Sequence, residues 1–98
     1  MKTLEDIKQL LNKHKKEIKE KYGVKNLYIF GSYVREEQTP ESDIDILVEF
    51  EKGKKTFDNY MDLKFYLEDL LGKKVDLVIK EVVRKELKKY IYGEAIKS

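Results

Sequence analysis

Leu27-Tyr28-Ile29-Phe30-Gly31-Ser32, ten further residues, then Asp43-Ile44-Asp45-Ile46-Leu47-Val48 is the most informative run in this chain. Short apolar runs bounded by turn residues predict buried strands, here Val24–Phe30 and Ile44–Phe50. Side chains alternate faces along a strand, so Asp43 and Asp45 share one face while Ile44, Ile46 and Val48 share the other. A rise of about 3.3 Å per residue separates the two carboxylates by about 7 Å along the strand. They can lean onto one hard cation or bridge two held about 3.5–4 Å apart. Between the strands, Pro40 prevents a long helix, although Ser32 to Glu37 has room for a turn or two.

Upstream, Thr3 stands as an N-cap ahead of Asp6, and Leu4, Ile7, Leu10, Leu11, His14, Ile18 and Tyr22 recur at helical spacing until Gly23. The pattern predicts one amphipathic helix over about 4–22. His14, the only histidine, lies on or beside its apolar stripe with no second ligand nearby, which reads as packing. Downstream, Gly53 among lysines marks a loop. Thr56 caps a second long helix whose expected core stripe is Phe57, Tyr60, Met61, Leu67, Leu70 and Leu71, with Gly72 as its stop. Lys74 to Ile79 reads as a third strand with Val75, Leu77 and Ile79 on one face and Asp76 with Val78 on the other. An acid inside so apolar a strand is costly unless it is paired, hydrogen-bonded or bound to a cation. Residues 81–91 predict a last helix with Val83, Leu87, Tyr90 and Ile91 inward, and Gly93 to Ile96 a final turn. The resulting order is α-β-β-α-β-α. The expected fold class is mixed α/β (α+β), one domain over 1–98, with helices packed on a sheet of three or more strands.

Composition narrows the function. The chain has 98 residues, 21 basic and 19 acidic, a net charge of +2 and no cysteine. Disulfide and thiolate–zinc frameworks are therefore excluded. Near-balanced charge gives no global case for direct nucleic-acid binding, and Glu residues interleave the lysine clusters as on solvated helix faces. No apolar run approaches the roughly 20 residues that span a bilayer, and Met1-Lys2-Thr3 leads straight into a charged stretch. The expectation is a cytoplasmic protein without membrane contact.

Gly31-Ser32, ten residues, Asp43-x-Asp45 and a later Asp76 together resemble the signature of the nucleotidyltransferase superfamily typified by DNA polymerase β. Over residues 4–96 the length and element order are similar to its smallest branch, the minimal nucleotidyltransferases. The resemblance implies that Asp43, Asp45 and Asp76 are catalytic and hold two Mg²⁺ ions, with Asp76 on the side of the attacking hydroxyl. It implies nucleotide binding by Gly31, Ser32 and Arg35, with ATP as substrate. Gly31 would let the backbone approach a triphosphate closely, and Ser32 would donate to a phosphate oxygen. For Arg35 a loop ion pair with Glu36, Glu37 or Glu41 is an equal alternative. The family often has Gly directly after this Arg, where this chain has Glu36.

Each feature has a plainer reading alone: Gly31-Ser32 as an ordinary turn, Asp43 as a turn former, Asp76 as a charge that keeps an edge strand from aggregating. Their joint occurrence at this spacing is what the resemblance explains. Ninety-eight residues supply a catalytic palm and no acceptor-binding domain, so the acceptor must be a separate partner. Similar minimal proteins pair with a small helical protein of the HEPN class as the antitoxin of a toxin–antitoxin module. The implied reaction is transfer of AMP from ATP to a tyrosine hydroxyl of that HEPN ribonuclease. The alternative is a non-catalytic binding module that neutralises a HEPN partner by complex formation.

Overall fold

A computed structural model of the chain describes residues 3–82 and 96–97. The first helix begins as expected. The Thr3 hydroxyl accepts from the Asp6 amide, and the Asp6 carboxylate accepts from the Thr3 amide at 3.0 Å, which satisfies two donors that would otherwise be orphaned. The single helix expected over 4–22 is, however, two: α1 (Leu4–Lys13) and α2 (Lys15–Tyr22), broken at His14 with φ −107° and ψ 13°. Asn12 and His14 are weak helix formers, and Lys13, Lys15 and Lys16 crowd like charge around them. Ile7 and Leu11 of α1 and Ile18 and Tyr22 of α2 are all buried in the core. His14 is half-buried at the junction between the two helices.

Strand β1 (Val24–Phe30) is followed by a single 3-10 turn, Gly31–Tyr33, and after a loop by β2 (Ile44–Phe50), which pairs with β1 antiparallel. Helix α3 (Phe57–Leu71) starts at Thr56, whose hydroxyl accepts from the Asn59 amide at 3.2 Å, and ends at Gly72 in the left-handed region. Fifteen helical residues carry the chain back along the sheet, so β3 (Val75–Ile79) enters parallel to β2. Asn59 ties these parts together: its side-chain amide donates to the Tyr22 carbonyl at 2.6 Å and the Lys54 carbonyl at 2.8 Å.

The tail departs from expectation. Ile96, predicted in a final turn, lies with Lys97 in a short strand β4 that pairs antiparallel with β1, giving the sheet order β3-β2-β1-β4. Lys80–Val82 form a 3-10 turn after β3; the rest of the expected last helix, with Val83, Leu87, Tyr90 and Ile91, falls outside the described residues. The mixed α/β class stands, now with a four-stranded mixed sheet.

The two sheet faces differ. Ile29, Ile44, Ile46, Val48, Val75 and Leu77 join Ile7, Leu11, Ile18, Leu63, Leu67 and Leu71 in the main core. On the opposite face Phe30 and Leu47 pack with Tyr28 and Val78, and this face also carries the acidic residues of β2 and β3. The α3 stripe is rotated from the one expected. Leu63 is fully buried, whereas Phe57 is 76% exposed. Leu63, Leu67 and Leu71 recur every fourth residue and set the inward direction, and Phe57 lies off that line. Leu63→Ala is expected to destabilise by about 2–5 kcal/mol, against less than about 0.5 kcal/mol for Phe57→Ala. Thermal melting of the two variants checks this, and equal losses would contradict the rotated stripe.

Candidate active site

The site is built where β1 ends. Antiparallel pairing sets Phe30 opposite Asp45, so the residue after the strand must turn away beside that carboxylate. Gly31 does so with φ 80°, in the left-handed region that L side chains avoid. A β-carbon there would fall on the Asp45 carboxylate. Glycine is therefore required twice, by the backbone angle and by the space. The turn is anchored from below by Tyr33, which is fully buried, and it leaves Ser32 half-exposed beside the acids.

Parallel pairing of β2 and β3 then places Asp76 directly opposite Asp45. The two carboxyls face each other across the paired strands, close enough for Asp76 to act on Asp45. Burial pushes Asp45 up from 3.8 to about 6, followed by the charges of Asp76 and Asp43, while Arg35 pulls weakly the other way. Asp43, one residue before β2, is exposed and takes part through its charge. Thus the three predicted acids lie on one face, with Asp45 and Asp76 in contact and Asp43 outside them. Among the described residues, no three acidic, histidine or cysteine side chains gather closely enough to enclose a metal ion by themselves.

Arg35 and Glu36 lie in the loop between the Gly-Ser turn and β2. The Arg35 guanidinium pairs with Glu37 at 3.2 Å, and its charge also reaches Asp45. One side chain thus shows the expected loop ion pair together with an orientation toward the acids. Glu36 takes φ 59°, a conformation glycine adopts freely, which gives a physical reason for glycine being common at this place in similar chains. Sequence reasoning missed Lys73. Its ammonium donates to the Pro40 carbonyl at 2.7 Å and fastens the loop that delivers Asp43 to the turn between α3 and β3. A lone lysine after a helix-ending glycine carries no sequence signal for that contact.

The donor set suits a hard divalent cation. Its atoms are carboxylate oxygens, they repel one another when ionised, and Mg²⁺ takes one or two protein carboxylates with water and substrate phosphates completing its shell. Without a cation, the crowding should be visible as instability. A carboxyl raised in the folded state contributes stability that is complete below its unfolded value, here 3.8, and is lost as pH rises through about 6. Glu49, held low chiefly by the Asn26 amide, acts in the opposite sense below its ordinary 4.5 and leaves the window above pH 5 to Asp45. In cation-free buffer at pH 7.5, Asp45→Asn is expected to melt roughly 4–8 °C higher than the parent chain, equivalent to about 1 kcal/mol after allowance for solvent screening. At pH 4 the gain should vanish. Calorimetric melting at both pH values checks this, and a lower melting temperature at pH 7.5 would contradict the crowding.

The chain as a whole is similar to known proteins. A family model described as a nucleotidyltransferase domain matches residues 11–98. Protein adenylyltransferase MntA of Thermococcus cleftensis is 44% identical over 96 residues, covering 98% of this chain and 96% of that one. A Methanocaldococcus jannaschii protein with a provisional protein adenylyltransferase name is 55% identical over 84 residues, 85% of this chain and 84% of its own. A solved structure provisionally described as a minimal nucleotidyltransferase superposes with a TM-score of 0.75 at 33% identity, covering 92% of this chain and 93% of that one. At the level of fold alone, the chain resembles one in a complex of a tri-AMPylated Shewanella oneidensis HEPN toxin with its MNT antitoxin. The TM-score is 0.67 and the identity 23%, with 93% and 70% of the two chains covered. A glycine turn wedged against paired carboxylates, in a chain matched along most of its length, leads to one conclusion: this protein belongs to the nucleotidyltransferase family, in its minimal branch.

Proposed function

We propose that this protein is an adenylyltransferase acting on another protein: it moves AMP from ATP to a tyrosine hydroxyl of a HEPN-type toxin and so serves as its antitoxin. The observation that carries the reading is the contact of Asp45 with Asp76 beside Gly31. Two strand-borne carboxylates and a side-chain-free turn together offer a place for a triphosphate and an attacking hydroxyl. Support for a protein acceptor comes from the Thermococcus relative, which is a protein adenylyltransferase. Support for a HEPN partner comes from the fold-level likeness to the antitoxin of the tri-AMPylated complex.

In this reading Gly31 admits the triphosphate to the backbone and Ser32 donates to a phosphate oxygen. Asp43, Asp45 and Asp76 would hold Mg²⁺, which would supply charge neutralisation at the triphosphate and a more acidic acceptor hydroxyl. Asp76, the more exposed of the contacting pair, receives the tyrosine proton. The tyrosine oxygen forms its bond to the α-phosphorus in line with the departing pyrophosphate, whose bridging P–O bond breaks. Arg35 lies close enough for its charge to act at Asp45, a position suited to countering phosphate charge. Among the described residues no helix is long and apolar enough to cross a membrane, and the reaction belongs in the cytoplasm, where ATP is supplied.

Incubating a HEPN-type partner with the protein, ATP and Mg²⁺ should raise the partner's intact mass by one or more adenylate units. Asp43→Asn should reduce the transfer rate at least about 100-fold, the scale on which losing a group that stabilises transition-state charge is felt. A tight complex with no mass gain would move the function to neutralisation by binding alone.

A further inference from the structure

Among the described residues, Asp76 sits on an edge strand, β3, which has β2 on one side only. A strand held from one side is poorly fixed for a group that must meet Asp45 and a substrate within fractions of an ångström. Backbone direction alternates along a strand. The Lys74 carbonyl faces β2, where it accepts from the Ile44 amide at 3.0 Å, so Asp76 also faces β2 while Val75 and Leu77 turn their backbone groups outward. Both of these neighbours of Asp76 are bonded from the outer side by α3. The Glu68 carboxylate accepts from the Val75 amide at 3.0 Å, and the Tyr60 hydroxyl donates to the Leu77 carbonyl at 2.6 Å.

We infer that Tyr60 and Glu68 are positioning residues for Asp76: by bonding the backbone on either side of it, they give an edge strand the fixity of an interior one. The inference rests on the role proposed above for Asp76. Neither side chain need touch substrate or cation. Tyr60 packs against the main core and so transmits the rigidity of α3 to the strand. Supporting contacts one step removed from a metal site commonly change affinity by about 10–100-fold when deleted, and the two bonds hold the residues immediately before and after Asp76.

The test compares the parent chain with the Tyr60→Phe, Glu68→Ala double variant, using Mn²⁺ as the probe in calorimetric titration. The double variant is expected to bind Mn²⁺ about tenfold more weakly. In adenylyl transfer to a HEPN-type partner, its kcat should fall about tenfold with KM for ATP within about twofold of the parent value, as for an acceptor-side defect. Glu68→Gln, which keeps an acceptor oxygen, should bring the double variant back to the roughly two- to threefold loss expected of Tyr60→Phe alone when it replaces Glu68→Ala. Binding of Mn²⁺ by the double variant within about twofold of the parent would overturn the inference, even if its melting temperature fell. Should the double variant not fold, Tyr60→Phe alone decides: two- to threefold weaker binding supports the inference and equality overturns it. A parent chain that binds Mn²⁺ but transfers no AMP would defeat the adenylyl reading and leave this comparison to be decided by affinity.

Discussion

Everything distinctive in this molecule follows from holding two carboxylates against each other on neighbouring strands. Asp45 and Asp76 meet because β2 and β3 run parallel in one register. A slip of one residue would turn one of the two acids to the opposite face. The parallel arrangement in turn needs α3, since two strands running the same way can be joined only by a crossover. The three leucines that bury α3, the caps at Thr56 and Gly72, and the Asn59 clamp are thus conditions for the acid pair as well as for the fold. Gly31 completes the constraint from β1, where any side chain would occupy the space of the Asp45 carboxylate.

This juxtaposition opposes folding. Burial and two like charges raise Asp45 to about 6, so its ionised carboxylate is an unfavourable element of the cation-free structure at neutral pH. The opposite sheet face compensates: Ile29, Ile44, Ile46 and Val48 are all fully buried behind the acids. Strain is also present in the loop, where Glu36 occupies a left-handed angle while Arg35 and Glu37 pair on either side of it. Functional sites commonly keep such local cost where the surrounding structure over-determines it.

The sequence revealed those parts whose causes are local. Strand limits at Phe30 and Phe50, the caps at Thr3 and Thr56, and the helix stops at Gly23 and Gly72 follow from residue types and neighbours, and they are observed as expected. The alternation that set Asp43 and Asp45 apart from Ile44 and Ile46 is equally local. Features set by distant partners were hidden. The apolar spacing runs through His14 without marking the break, and Phe57 misleads because hydrophobicity alone does not report which residues of the first turn are covered. Pairing of Ile96 with Ile29 joins residues far apart in the chain, and no short window records it. Lys73 looks like an ordinary loop residue, Glu68 like a helix-surface residue and Tyr60 like a plain member of the core stripe until the strand edge and loop they bond are in place.

The central claim is that the Asp45–Asp76 contact is a cation-dependent nucleotide site. The most direct measurement is the melting temperature at pH 7.5 with and without millimolar Mg²⁺ and AMP-PNP, for the parent chain and for Asp45→Asn. Ligand that binds only the folded state at about 100 times its Kd adds roughly 2.7 kcal/mol. The parent chain should therefore melt at least several degrees higher with both present, and Asp45→Asn should be nearly unmoved. Equal shifts in the two proteins, or none in the parent, would contradict the account.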